Sequence, residues 1–160
     1  MVKQLSKSKR TRRDVLIGAA GLAGAVAVSR VFVMPAAATP AEMETAIRAT
    51  IGEASMQKGK VTLELPPLID NGNTVSCVVT VDHPMTETSY VKSIHIFNEK
   101  NPQPNVANFH LNPRCGKAAV STRIRLADTQ FVTAIARLSD GSVWFDRVHA
   151  IVTLAACLEE

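Results

Sequence analysis

Cysteine is the residue type here whose chemistry stands out, because a thiolate is both a nucleophile and a covalent carrier of sulfur. The chain has three, Cys77, Cys115 and Cys157. Cys157 lies three residues from the end, in Ile151-Val-Thr-Leu-Ala-Ala-Cys157-Leu-Glu-Glu160. Chain ends are poorly ordered unless tied down, so a thiol there can reach outward to other proteins. The same position also suits a cysteine that continues the last strand and caps a core edge, since free cysteine is often buried. Glu159, Glu160 and the terminal carboxylate disfavour the Cys157 thiolate and would repel an anionic sulfur substrate. Cys115 sits in the turn-like Pro113-Arg114-Cys115-Gly116-Lys117, where two cationic neighbours favour the thiolate. Cys77 falls on the apolar face of an alternating segment and reads as core. Local electrostatics thus favour Cys115 as the working thiol, and reach favours Cys157.

Metal chemistry has weaker support. His83, His95, His110 and His149 lie on separate segments with no ligand-spaced pair, so they read as strand ends or satisfied core histidines. No metal site and no cofactor is expected. There is no glycine-rich phosphate loop, no nucleophile elbow and no catalytically spaced aspartate pair. Arg123 and Arg125 read as a solvated sheet face.

The elements that must position these residues are mostly strands. Thr39-Pro40-Ala41-Glu42 forms a capping box with proline at the first helical position. Met43, Ile47, Ile51 and Ala54 then recur at helical spacing, with Gly52 as a stop. After Lys60 the period changes to two. Seven strands are expected, over residues 61–65, 74–82, 91–97, 106–111, 120–126, 131–138 and 143–154. Residues 67–73 carry a turn signal, and Asp140-Gly141 is a hairpin turn. The fold class is mainly β, an immunoglobulin-like antiparallel β-sandwich with one short N-terminal helix.

The chain has 160 residues, enough for one domain with a sizeable core. Its first 38 residues read as an export segment. Lys3, Lys7, Lys9 and Arg10 precede Thr11-Arg12-Arg13-Asp14-Val15-Leu16, and residues 15–29 are uncharged and apolar. That is a twin-arginine pattern, and Ala36-Ala37-Ala38 supplies small residues for cleavage after Ala38. The run falls short of the ~20 residues a membrane span needs, so no stable anchor is expected. This segment holds seven of the 18 Lys and Arg residues and one of the 14 Asp and Glu. Residues 39–160, the expected single folded domain, are left with 11 basic and 13 acidic side chains, a formal net of −2. A nucleic-acid partner, which needs a basic surface, is excluded. An odd cysteine in an exported chain points to an intermolecular bond or a reactive thiol.

Several stretches within residues 84–144 carry a family resemblance. Pro84-Met85-Thr86, Tyr90-Val-Lys-Ser-Ile-His-Ile-Phe97, Lys100-Asn-Pro-Gln-Pro-Asn-Val-Ala107, Thr122-Arg-Ile-Arg-Leu-Ala127 and Ser139-Asp-Gly-Ser142 resemble SoxY. That family is the sulfur-carrier subunit of the periplasmic thiosulfate-oxidising Sox system. The resemblance implies an immunoglobulin-like sandwich, export to the periplasm by the twin-arginine route, and a heterodimer with a SoxZ-like subunit. It also implies a carrier, itself not an enzyme, whose C-terminal cysteine bears the sulfur substrate. A c-type cytochrome complex attaches thiosulfate to that cysteine, and a hydrolase releases sulfate from it. By position Cys157 corresponds, with Cys115 as the alternative thiol. The family tail is Gly-Gly-Cys-Gly-Gly; here Ala155-Ala156 precede the cysteine and Leu158-Glu159-Glu160 follow it. Alanine stiffens what glycine leaves free, and the reach from Leu154 to Cys157 is at most ~10 Å. The missing glycines favour an alternative, a non-covalent scaffold that pairs with a SoxZ-like subunit without a swinging thiol.

Overall fold

In the computed structural model, which describes residues 39–156, the first element forms as its caps dictate. Helix α1 runs Pro40–Ile51. The Glu42 N–H donates to Thr39 Oγ1 (3.3 Å) and the Thr39 N–H to Glu42 Oε2 (2.7 Å), closing the expected capping box. Gly52 ends the helix, its N–H bonded to the Arg48 carbonyl. The expected export segment and Cys157, with the three residues after it, lie outside the described residues.

Among the described residues nine strands follow: β1 (Met56–Lys58), β2 (Val61–Glu64), β3 (Leu68–Ile69), β4 (Val75–Val81), β5 (Val91–Asn98), β6 (Asn105–His110), β7 (Ala119–Ile124), β8 (Gln130–Leu138) and β9 (Val143–Val152). They make two sheets. The larger has the order β1-β9-β8-β5-β6, with β3 also paired to β9; the smaller is β2-β4-β7. The seven expected strands are all present, within a few residues of their expected ends. The other two, β1 and β3, both pair with β9 in parallel, at its opposite ends: Met56 faces Val143 and Leu68 faces Ile151. The antiparallel description is therefore corrected at this edge. Leu68 and Ile69, expected in a turn, extend because β9 offers them a ladder and Ile69 can be buried.

The alternation sets the packing. Val61, Leu63, Cys77, Val79, Val81 and Ile124 from the small sheet meet Ile94, Ile96, Val132, Ala134 and Ala136 from the large one in a single core. A second cluster lies on the large sheet's other face, where Met43, Ile47 and Ile51 of α1 cover Phe97, Ile135 and Val143. Each large side chain buried this way contributes ~1.5–3 kcal/mol. β5 is covered on both faces, hence its nearly continuous burial. None of the described helices is long and apolar enough to cross a membrane.

The registers define two ends. Val75 pairs with Ile124, Asn98 with Val132 and Gln130 with Ala150 at one. Thr80 pairs with Ala119 and Val91 with Leu138 at the other. The first end receives the C-terminal tail; the second holds a 3₁₀ turn at Pro113–Cys115.

Candidate functional site

β9 ends at Val152, and the chain then crosses a set of backbone groups from remote segments. The Thr153 N–H donates to the Ile69 carbonyl (3.0 Å), and its hydroxyl reaches the carbonyls of Ile69 (3.3 Å) and Asp70 (3.2 Å). The Gly72 N–H donates to the Leu154 carbonyl (2.8 Å). Leu126 closes the arrangement: its N–H donates to the Gly72 carbonyl (2.9 Å), and its carbonyl accepts from the Ala156 N–H (3.0 Å). Ala156 is buried at 6% exposure, one residue before Cys157, although Leu154 is exposed. Gly72 sits at the centre of this clasp. A Cβ there would collide with the Leu126 carbonyl oxygen and stand 2.9 Å from the Ala156 nitrogen. Space, not backbone conformation, requires glycine.

Asn101 holds the Leu126 side in place. Its Nδ2 donates to the Arg125 carbonyl (2.9 Å), and its Oδ1 accepts from the Ala127 N–H (3.1 Å) and from Gln130 Nε2 (2.9 Å). Both backbone groups flank Leu126. Gln130 is buried, and its Oε1 accepts from the Lys100 N–H (2.8 Å). Beside it Lys100 Nζ donates to Asp128 Oδ2 (2.6 Å), and that bond, with the Thr129 N–H, holds the Asp128 carboxyl below the usual range. The pair is exposed, so it adds little stability. The stretches Lys100–Ala107 and Thr122–Ala127 singled out in the sequence thus contribute to the tail's support.

The other two thiols differ from each other. Cys77 is fully buried on β4, as its alternation implied, and burial pushes the thiol up to about 11. Cys115 is exposed at the far end of the sandwich, its Sγ 4.0 Å from Asn112 Oδ1. Asn112 caps that turn by accepting the Arg114 N–H (2.9 Å).

The histidines do not gather into one site, although the rings of His95 and His110 meet edge to face with centroids 6.3 Å apart. His95 is 5% exposed and bonded at both nitrogens, to Asn108 Oδ1 (2.6 Å) and Ser93 Oγ (2.8 Å), a satisfied core histidine. Burial lowers its pKa, with His110 and Arg137 acting the same way and the Asn108 bond opposing. His83 bonds Ser89 Oγ (3.0 Å), and His149 lies against Phe131 with ring centroids 4.8 Å apart. No group of three or more His, Cys, Asp or Glu side chains among the described residues is placed to hold a metal ion. Arg123 and Arg125 are exposed on β7 and just beyond it.

One part of the large sheet stays uncovered by α1. Phe131 pairs with His149 and Leu68 with Ile151, which puts these side chains on one face of β8, β9 and β3. Leu68 is 55% exposed, Ile151 48% and Phe131 40%. Gly72, Leu126, Asn101 and Gln130 were not expected as site residues. The signal for Asn101 was its place in the Lys100–Ala107 stretch; Gly72 looked like an ordinary turn glycine.

Comparison with known proteins places this arrangement. The family model for the sulfur oxidation protein SoxY matches residues 47–157. The solved structure of the sulfur carrier protein SoxY from Chlorobium limicola f thiosulfatophilum is 26% identical, with a TM-score of 0.60, over 71% of this chain and 98% of that one. Two superoxide reductases share the fold alone. That of Ignicoccus hospitalis (neelaredoxin) is 16% identical with a TM-score of 0.53, over 72% of this chain and 94% of that one. That of Nanoarchaeum equitans is 11% identical with a TM-score of 0.50, over 60% and 98%. A search among curated proteins finds no match.

Proposed function

We propose, because the chain belongs to the SoxY family of sulfur oxidation proteins, that its carrier role is covalent and that Cys157 is the attachment point. The observation that carries this reading is the extent of the family match, which runs through Cys157 itself. The protein acts as a substrate-bearing partner and not as an enzyme. The Cys157 thiolate and the outer sulfur of thiosulfate join in an S–S bond, and two electrons leave to a c-type cytochrome complex. A hydrolase then adds water to the sulfonate: the bond between the two outermost sulfurs breaks, sulfate and two protons depart, and a persulfide stays on the cysteine. Leader residues 1–38 send the chain to the periplasm by the twin-arginine route.

The exposed strip of Leu68, Phe131 and Ile151 supports a heterodimer with a SoxZ-like subunit, since apolar patches rimmed by polar residues mark interaction sites. It equally favours the second reading, a non-covalent scaffold that recruits the same enzymes.

Intact-protein mass spectrometry after incubation with thiosulfate and the oxidising cytochrome complex separates the two. The expected result is one adduct on the parent and on Cys115→Ala, and none on Cys157→Ala. A Cys157→Ala protein that keeps the adduct defeats the covalent reading at this residue. A chain truncated after Ala156 that supports full sulfur oxidation establishes the scaffold.

A further inference from the structure

The clasp bears on how a thiol at residue 157 is offered, and this inference rests on the carrier reading above. A swinging arm needs a length of backbone free of the body. Here the hydrogen bonds continue to the residue before the cysteine: Gly72 holds Leu154 and Leu126 holds Ala156. One trans peptide, ~3.8 Å between Cα atoms, is all that covalent geometry allows between Ala156 and the next residue. The hold is built and not incidental. Gly72 is buried and has no room for a methyl group, because the backbones of Leu126 and Ala156 stand where it would go. Asn101 fixes the carbonyl of Arg125 and the N–H of Ala127, so Leu126 is braced on both sides.

We infer that Gly72 and Asn101 are positioning residues of the carrier site, which act through Leu126 to fix the point from which Cys157 leaves the body. A thiol at residue 157 is thereby kept within one peptide unit of the held Ala156. Partner enzymes must therefore seat against this end of the sandwich, around the exposed Asp70 and Asn71, to reach it. An alanine at position 156 suits this arrangement. Ala156 fills a buried place beside Gly72, where an arm that swings from residue 154 would have no use for burial.

The test uses the full chain and two independent readouts. Hydrogen exchange followed by fragment mass analysis reads the Ala156 amide, and the second readout is the ratio of enzymatic thiosulfate loading to alkylation of Cys157 by iodoacetamide. In the parent the Ala156 amide is expected to exchange about tenfold more slowly than in a free peptide, as a net hydrogen bond of ~1–1.5 kcal/mol implies. Gly72→Ala should abolish that protection and lower the loading-to-alkylation ratio by about tenfold, because misplacement by an ångström costs this much or more. Asn101→Ala should do the same to a smaller degree and serves if Gly72→Ala does not fold. A role limited to stability would lower the melting temperature and leave the ratio unmoved, and that result overturns the inference. So does a loaded Cys157 in a parent whose Ala156 amide exchanges freely, which leaves the carrier reading intact. No loading in a parent with a protected Ala156 overturns the carrier reading and the positioning role with it.

Discussion

The two ends of the sandwich each combine a glycine, an asparagine and a route to a cysteine, and they are built by opposite means. At the far end, residues 112–116 satisfy one another: Asn112 caps the turn, and the Gly116 N–H returns to the Pro113 carbonyl. Gly116 has φ +70° and nothing within 4 Å of where a Cβ would stand. Its requirement is conformational and local. At the tail end Gly72 is bound by space, with Leu126 and Ala156 closing on it from 54 and 84 positions away. A thiol at the first end is displayed by a loop that would form almost anywhere; the second end exists only once the sandwich is assembled. The point at which the tail passes Gly72 and Leu126 therefore exists only in the folded chain.

The sharpest way to test this contrast is chemical. In a folded Cys157→Ala chain, Cys115 should react with iodoacetamide at pH 8 while Cys77 stays silent. A thiol raised from 9.0 to about 11 has about a hundredfold less thiolate, and burial removes access besides. Peptide mapping after a timed quench reads both sites. Comparable labelling of the two would mean that the sandwich core opens readily, and the contrast between its ends would lose its frame.

Next comes the pair of glycines. Gly72→Ala should cost about 3 kcal/mol, the upper range for overpacking against backbone that has nowhere to go. Gly116→Ala should cost about 1 kcal/mol for placing a side chain at positive φ. Urea titrations of both variants measure this. Equal losses would show that the tail end can relax around a methyl group and is not the closed structure described. The asparagines follow at lower magnitude. Asn101→Ala, which removes three hydrogen bonds, two of them at partly buried groups, should cost about 2 kcal/mol, against about 1 kcal/mol for the Asn112 cap. An Asn112→Ala loss as large as that of Asn101→Ala would erase the difference in kind.

The same contrast explains what could be read from the sequence. Local devices were legible. The Thr39–Glu42 capping box, the Asp140-Gly141 hairpin and the alternation that buries Cys77, Val79 and Val81 each depend on residues within a few positions. β3 was not, because Pro66-Pro67 and Asp70-Asn71-Gly72 are strong turn signals and only β9, more than 80 residues later, makes Leu68 and Ile69 a strand. β1 likewise has no apolar face of its own and exists as a parallel partner of Val143. Gly72 appeared as a turn residue because nothing nearby records that Ala156 must pass it. Asn101 was visible within a distinctive stretch, but its partners lie 24 to 29 residues on, so its task was not. Of the candidate site, the sequence disclosed the thiols and their local charges; the support of the tail is tertiary.

The smallest effect concerns the body between the ends. Burial lowers the pKa of His95, with His110 and Arg137 adding repulsion and the Asn108 bond opposing them. Its folded pKa therefore lies below the unfolded value of ~6.5. Between those two values the unfolded chain binds more protons than the folded one, so stability rises with pH there. Acidification from about pH 6.5 should thus weaken the protein, and the loss should stop growing once pH falls below the folded value. A His95→Gln variant, which removes the titration, should show a flatter melting temperature over this range. Its tail end should respond no differently from the parent's, since Gly72, Leu126 and Ala156 meet through backbone groups that do not titrate. If acid instead frees the Ala156 amide while His95→Gln leaves the slope unchanged, a different group governs the acid response and the two ends are coupled through it.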